Sequence, residues 1–252
     1  MNLVIDVGNS LVKLAVFEKN KMISKTNIEL KSFLKHIDLL RKEYKEMSKA
    51  IISSVGKLKH ADIKYLQERF DVITLDTTIK VPFINRYETP KTLGMDRVAL
   101  VSASVQQYPK ANVLIIDAGT CITYDFVSKG NEYLGGAISP GIRMRYQSLH
   151  NLTAKLPLLK TEVPNDIIGN STNNSIHSGV VFGVLKEIEG VIDNYKLKYK
   201  DLTVILTGGD ANFLSKQLKS SIFANSNFLL EGLNYLLQLN SNEWLKNLYW
   251  FL

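Results

Sequence analysis

Two short segments of this chain, 111 positions apart, place an aspartate after an apolar run and just before a glycine turn. The segments are Asp6-Val7-Gly8-Asn9-Ser10 and Asp117-Ala118-Gly119-Thr120. The runs that precede them are typical of strands buried on both faces. After each turn the residues again favour a strand, at Leu11 to Glu18 and at Cys121 to Val127. The pattern therefore predicts a duplicated hairpin with an acidic corner.

The residues of these corners suit the handling of phosphate groups. Gly8 and Gly119 lack a Cβ, so a phosphate group can approach the backbone closely, and Ser10 and Thr120 add hydroxyl donors. A carboxylate repels phosphate, so the aspartates would instead hold a cation that bridges to phosphate oxygens. The chain lacks the Gly-x-x-x-x-Gly-Lys-Ser/Thr pattern of a P-loop. The alternative for each corner is an ordinary Asx-type turn.

Composition narrows the class of protein. Lys and Arg exceed Asp and Glu by 31 to 24, which gives a formal net charge of +7 and suits small anions or nucleic acid equally well. Residues 19–49 and 186–200 hold 12 of the 25 lysines, mixed with glutamates and with apolar residues at helical spacing. That mixture is typical of solvent-facing helix surfaces, and no nucleic-acid recognition motif is present. We therefore predict no nucleic-acid partner.

Cysteine and histidine usage excludes other classes. Cys121 is the only cysteine, so the chain can form no internal disulfide and no cysteine-based zinc cage, and we interpret it as a packed thiol. The four histidines are scattered. No run reaches the roughly 18 apolar residues of a membrane span, and no signal-peptide pattern opens the chain. These observations favour a cytoplasmic protein without a membrane partner.

The repeat predicts an α/β protein of two domains, residues 1–112 and residues 113–252, with ligands bound in a cleft between them. Further strands are predicted at residues 50–55, 72–75 and 203–206, and helices at residues 61–70, 97–105 and 144–152. The segment from Pro82 to Pro90 has no clear periodicity and is predicted to be a binding loop. Asp96 is a natural N-cap for the helix that follows.

In these residues the chain resembles the type III pantothenate kinases, members of the actin, sugar-kinase and Hsp70-like superfamily. The resemblance runs in order along nearly the whole chain. Its motifs are Asp6-Val7-Gly8-Asn9-Ser10 with Lys13, Tyr87 and Pro90 before Gly94-Met95-Asp96-Arg97, Asp117-Ala118-Gly119-Thr120, Gly135 to Gly141, Thr153 to Pro157, Thr172 with Gly179 and Gly183, and Thr207-Gly208-Gly209. Each motif alone is weak, whereas their shared order is specific.

The resemblance implies two similar actin-like, or ribonuclease H-like, domains, each with a central mixed sheet, and an interdomain cleft. It implies ATP-dependent phosphorylation of the primary hydroxyl of pantothenate to 4'-phosphopantothenate, the first step of coenzyme A biosynthesis. Similar enzymes are homodimers that need a divalent metal, usually Mg²⁺, and a monovalent cation, K⁺ or NH₄⁺. Pantothenate, ATP and a second copy of the chain are therefore the expected partners.

The family's functional positions carry over to residues of this chain. Asp96 matches the proposed proton acceptor, and Asp117 matches a ligand of the monovalent cation. Asp6 is a second candidate metal ligand, through Mg²⁺ bound to ATP. The expected ATP-binding residues are Asp6, Val7, Gly8, Asn9, Ser10, Leu11, Val12, Lys13 and Thr120. The expected substrate-binding residues are Tyr87, Gly94, Met95, Asp96, Arg97 and Thr172, and Gly208-Gly209 would lie near the adenosine.

Several roles have alternatives at this point. Arg97 either pairs with the substrate's carboxylate or phosphoryl group, or forms a surface ion pair. Lys13 either touches the β- or γ-phosphate or points into solvent, and Tyr87 either covers the substrate or anchors its loop. For the chain as a whole, the alternatives are a kinase of this superfamily acting on another small hydroxylated substrate and a non-catalytic regulatory or accessory relative. The aromatic tail after Asn240 has no predicted role.

Overall fold

The computed structural model describes residues 1–8, 11–53 and 58–241. They form two compact units, one of residues 1–107 with residues 228–241 and the other of residues 108–227. The chain first passes from one unit to the other between Gln107 and Tyr108, whereas the sequence predicted this boundary near residue 112. The predicted division differs from the structure at the C-terminal end, because residues 228–241 pack with the first unit. Within the described residues, no helix combines the length and apolar character that a membrane span requires.

The first unit is built around a five-stranded mixed sheet. Its elements are β1 (Asn2–Val7), β2 (Val12–Glu18), β3 (Lys21–Ile28), α1 (Phe33–Glu43), β4 (Lys49–Ser53), α2 (His60–Gln67), β5 (Asp71–Thr74), β6 (Ile84–Asn85) and α3 (Met95–Gln107). The strand order is β3-β2-β1-β4-β5. β2 runs antiparallel to both neighbours, whereas β4 and β5 run parallel to β1.

The second unit has the same plan. Its elements are β7 (Asn112–Ala118), β8 (Cys121–Val127), β9 (Glu132–Pro140), α4 (Ile142–Asn151), α5 (Thr172–His177), α6 (Gly183–Lys198), β10 (Leu202–Thr207), α7 (Ala211–Ser215) and β11 (Phe223–Ala224). Its strands follow the order β11-β10-β7-β8-β9, with β8 antiparallel to both neighbours and β10 parallel to β7. The predicted α/β class, with two similar domains and a mixed sheet in each, is confirmed.

The acid-bearing strands lie at the centre of their sheets. Leu3, Val4 and Ile5 of β1 are fully buried, as are the apolar residues at the middle of β7. A central strand packed on both faces needs apolar side chains in both directions, which explains the unbroken apolar runs in the sequence. Each strand therefore delivers its terminal aspartate to the edge of a well-packed core.

The last described helix, α8 (Phe228–Asn240), belongs to the first unit because it packs on α3. A Cβ at Gly232 would lie 2.0 Å from the carbonyl oxygen of Ala99, so the glycine allows the two backbones to approach closely. The side-chain amide of Asn234 donates to the carbonyl of Lys19, and that of Asn2 donates to Asn234 Oδ1. Sequence repetition alone did not indicate this return of the chain.

Two local predictions were wrong in detail. The lysines of residues 21–28 lie on strand β3, where exposure alternates along the strand, and not on a helix. A strand with one solvent-exposed face accommodates lysines as well as a helix does. The glycine-rich passage around Gly135, for which no element was predicted, is part of strand β9. Helix α3 begins at Met95, two residues before the predicted start, which places Asp96 in its first turn and not at its N-cap.

Candidate active site

The first acidic corner is formed where β1 ends. Asp6 is 8% exposed, and both of its carboxylate oxygens have partners. Ser53 Oγ donates to Oδ1 at 2.6 Å, and Lys13 Nζ lies 3.1 Å from Oδ2. Both partners come from neighbouring strands, because the β-sheet register pairs Asp6 with Lys13 of β2 and with Ser53 of β4. Lys13 thus points towards the corner and not into open solvent.

The turn after Asp6 is tight at its start. The backbone N–H of Gly8 donates to the carbonyl of Leu11 at 3.0 Å, and a Cβ at Gly8 would lie 2.9 Å from that oxygen. Val7 and Val12 are core residues, so they can offer a ligand only backbone groups, whereas Leu11 is exposed. Asn9 and Ser10, two of the predicted ATP-binding residues, lie outside the described residues.

The second corner follows β7 and is held by backbone hydrogen bonds from its own Gly119 and from Gly141, which precedes α4. The backbone N–H of Gly119 donates to the carbonyl of Cys121, and that of Gly141 donates to the carbonyl of Thr120 at 3.1 Å. A Cβ at Gly141 would lie 2.1 Å from the carbonyl oxygen of Gly119. Asp117 is partly exposed and Thr120 is exposed, so both side chains are accessible to a ligand.

Gly208 fixes the surroundings of Asp117. It follows β10, has a φ of 95°, and would bring a Cβ within 2.4 Å of Asp117 Oδ1 and 2.3 Å of the carbonyl oxygen of Ala118. The same carbonyl accepts the backbone N–H of Asp210 at 2.9 Å. Burial raises the pKa of the Asp210 carboxyl. The Thr207-Gly208-Gly209 segment therefore packs directly against the second acidic corner.

The predicted substrate loop brings a carboxylate and an arginine onto one helical turn. Asp96 is exposed in the first turn of α3, where its Oδ1 accepts the backbone N–H of Arg97 at 2.8 Å. A Cβ at Gly94 would lie 2.5 Å from that oxygen, so the glycine leaves room for the carboxylate. Met95 between them is partly exposed.

Arg97 is only 5% exposed, which excludes the surface ion pair. Its guanidinium carbon lies 5.4 Å from the centre of the Tyr87 ring, within the range of a cation–π contact. Tyr87 is partly exposed, so the ring packs on the arginine and still reaches the surface. The structure thus brings Tyr87, Asp96 and Arg97 into one local cluster.

Thr172 lies at the start of α5, on the wall of a cavity of about 670 Å³ in the second unit. The cavity is also lined by Arg145, Ser148, Leu149, Leu156, Ser175, Ile176, Gly179 and Val180. A π-helical turn at Ser178–Phe182 joins α5 to α6 and carries Gly179 into this wall. Such turns are common at functional sites.

A polar network that no sequence motif indicated lies next to this cavity. Arg145 contacts the Glu187 carboxylate at 2.5 Å and Ser139 Oγ at 2.9 Å, and Tyr124 donates to Glu187 at 2.8 Å. Burial of Glu187 opposes its ionisation, but the bonds from Arg145, Tyr124 and Ser139 outweigh it and hold its pKa below the ordinary value. These residues come from β8, β9, α4 and α6, so no local sequence pattern connects them.

Metal binding by these corners depends on more than protein carboxylates. Among the described residues, no group of three or more His, Cys, Asp or Glu side chains is arranged to hold a metal ion. A cation at either corner would therefore take further oxygen ligands from hydroxyl groups, backbone, water or phosphate. One such hydroxyl is Thr123 Oγ1, which is buried without a hydrogen-bond partner in the described structure.

Comparison with known proteins assigns the family. The family model described as type III pantothenate kinase matches residues 2–194. A type III pantothenate kinase of Christiangramia forsetii is 49% identical over 243 residues, which are 96% of this chain and 100% of the relative.

Solved structures agree on the fold. A Campylobacter jejuni protein assigned to the Baf family of transcriptional activators has a TM-score of 0.62 at 22% identity, covering 94% of this chain and 98% of its own. Glucokinase from an Antarctic psychrotroph has a TM-score of 0.50 at 11% identity, with 95% and 99% covered. At these identities the likeness concerns the actin-like fold alone. By its sequence, the chain belongs to the type III pantothenate kinases, a family of ATP-dependent kinases of coenzyme A biosynthesis.

Proposed function

We propose that this chain transfers the γ-phosphoryl group of ATP to the primary hydroxyl of pantothenate, forming 4'-phosphopantothenate and ADP. The observation that carries the proposal is the cluster of Asp96, Arg97 and Tyr87 in a member of this family. An exposed carboxylate beside a buried guanidinium offers a proton acceptor and an anion-binding group on one helical turn.

Asp96 accepts the proton of the attacking hydroxyl. As the hydroxyl oxygen bonds to the γ-phosphorus, the bond from that phosphorus to the bridging oxygen breaks and ADP leaves. Positioning dominates this reaction, and an oriented carboxylate contributes typically about 10²- to 10⁴-fold in rate. Gly94 supports the role because its missing Cβ lets the Asp96 carboxylate occupy its position. Arg97 binds the substrate's carboxylate or the phosphoryl oxygens, and Tyr87 and Thr172 contact the substrate.

The two acidic corners bind ATP and its cations. At the first corner, Gly8 and Lys13 contact phosphate oxygens, and Asp6 is the candidate ligand of Mg²⁺ bound to ATP. Mg²⁺ neutralises charge on the phosphate oxygens. At the second corner, Thr120 contacts the nucleotide and Asp117 binds K⁺ or NH₄⁺. The residues of this corner fit such a cation, because a carboxylate and the buried, unpartnered Thr123 Oγ1 are oxygen ligands on neighbouring strands.

Two further properties belong to the proposal. The chain acts as a homodimer, which agrees with the exposed apolar residues between α4 and α5, where Leu152 is 83% and Ile168 79% exposed. Sedimentation velocity tests this directly. The enzyme works in the cytoplasm, in keeping with its single cysteine.

The test is coupled ADP release from the purified protein with pantothenate and Mg-ATP, with and without K⁺ or NH₄⁺. We expect pantothenate-dependent turnover, and its absence in every cation mixture would refute the substrate and support a non-catalytic relative. The Asp96→Asn variant should lose about 10²- to 10⁴-fold in kcat while unfolding at an unchanged temperature, since Asp96 is exposed. Glu88→Gln, another exposed carboxylate nearby, is the matched control. Nearly full activity of Asp96→Asn would exclude Asp96 as the base.

A further inference from the structure

The two acidic corners can be compared position by position, because the strands β3-β2-β1-β4-β5 of the first unit correspond in order and direction to β9-β8-β7-β10-β11 of the second. In the first, the register places Lys13 opposite Asp6 on the antiparallel neighbour and Ser53 beside Asp6 on the parallel neighbour. In the second, the same two positions around Asp117 are occupied by Thr123 and Thr207. The serine has a hydroxyl counterpart, whereas the lysine is replaced by a neutral residue.

This replacement changes the charge built into the corner. Lys13 brings an ammonium group 3.1 Å from the Asp6 carboxylate. Directly opposite residues of an antiparallel pair project on the same face with their Cβ atoms about 5 Å apart, so Thr123 lies on the Asp117 face. A threonine there supplies an oxygen ligand in place of a charge.

The Thr123 hydroxyl has no protein role in the described structure. Its Oγ1 is buried and has no hydrogen-bond partner there. Buried hydroxyl groups are nearly always satisfied, so an orphaned one is a place where a water molecule or an ion can bind. A hydroxyl oxygen on the same face of the sheet as a carboxylate suits a small cation.

We propose that Thr123 makes the second corner dependent on a diffusible monovalent cation, and that a lysine at position 123 replaces this cation as Lys13 does at the first corner. The inference rests on the proposed function only in that Asp117 binds the cation. It adds the residue that determines whether the positive charge is diffusible or covalently attached. Thr123 thus determines whether the second corner requires a free monovalent cation.

The experiment compares wild type with Thr123→Lys, and with Thr123→Met as a neutral control of similar length. The first measurement is Tm in KCl against choline chloride at equal ionic strength, because a cation that binds only the folded state raises Tm. The second is pantothenate-dependent ADP release in the same salts. Wild type should show a KCl-specific rise in Tm and an activity increase of roughly tenfold, a usual size for coupling between two ligands.

Thr123→Lys should be as active in choline chloride as wild type is in KCl and show no KCl-specific change in either measurement, whereas Thr123→Met should keep, in both salts, the low activity that wild type has in choline chloride. A Thr123→Lys protein that keeps the wild-type response to KCl overturns the inference and leaves the kinase proposal standing. A wild type that turns over pantothenate without any response to KCl or NH₄Cl overturns both the inference and the cation assignment of Asp117. Loss of all pantothenate turnover in wild type identifies failure of the proposed function itself.

Thr123→Val keeps the inference testable if the lysine variant does not fold. Valine has the shape of threonine without Oγ1, so Tm in choline chloride should equal or exceed that of wild type, because no protein bond is lost. The KCl-specific rise in Tm should disappear. Equal loss of Tm in both salts would instead indicate a purely structural hydroxyl and overturn the inference.

Discussion

Replacing Gly208 by alanine tests whether the second corner depends on its backbone geometry. At a φ of 95°, an L-residue is strained by about 1–3 kcal/mol. The new Cβ would also lie 2.3 Å from the Ala118 carbonyl oxygen and 2.4 Å from Asp117 Oδ1, and relieving such overpacking costs a further 1–3 kcal/mol or so. The expected loss in free energy of unfolding is therefore about 2–6 kcal/mol.

Gly209 provides a matched control at the next position. A Cβ there would meet nothing within 4 Å, and its φ is not in the positive range, so Gly209→Ala should stay within about 0.5 kcal/mol of wild type. Urea denaturation followed by far-UV circular dichroism measures both variants. Because Asp117 has to move in Gly208→Ala, we also expect a loss of kinase activity of roughly 10²-fold, the size associated with displacements of about 1 Å. Equal effects of the two substitutions would refute the geometric argument.

Two other predictions concern stability. Gly190→Ala should stabilise the protein by about 0.5–1 kcal/mol, because this exposed position within α6 has open space around it. Gly232→Ala should destabilise the protein, because the new Cβ would contact the Ala99 carbonyl. Thermal melts that give the same sign for both variants would contradict this. Since the pKa of Glu187 is lowered in the fold, its contribution is complete above the unfolded value near 4.5 and is lost as pH falls through the folded value. The stability gap between wild type and Glu187→Gln, from urea denaturation, should therefore shrink below about pH 4.5, and a pH-independent gap would exclude this mechanism.

Much of the fold was predictable because it depends on local patterns. The apolar runs before Asp6 and Asp117 identify central strands, since only a strand buried on both faces needs side chains that are apolar in both directions. The glycine corners follow from turn chemistry. The edge strand β3 was predicted to be helical because, over so short a segment, its lysines and alternating polarity fit the solvent-exposed face of a helix or of a strand equally well.

The candidate site was predictable only in part. The position of Asp96 beside Arg97 is local, and the sequence places the two together. The burial of Arg97 and its contact with Tyr87 depend on how the loop before α3 packs, and the positions of these residues in the sequence do not predict that packing. The network of Arg145, Glu187 and Tyr124 joins three separate elements, so its members have no common sequence signal.

The amino-acid sequence by itself determined the duplicated hairpin, the acid-bearing strands and the family. Each of these depends on residues close together in the chain or on an ordered series of motifs. Only the tertiary structure decided which residues surround each acid. Strand register sets Lys13 and Ser53 beside Asp6, and Thr123 beside Asp117, and register is fixed by the packing of whole sheets. Tertiary packing also explains why α8 returns to the first unit. Its apolar face is buried against α3, which lies more than a hundred residues earlier in the chain.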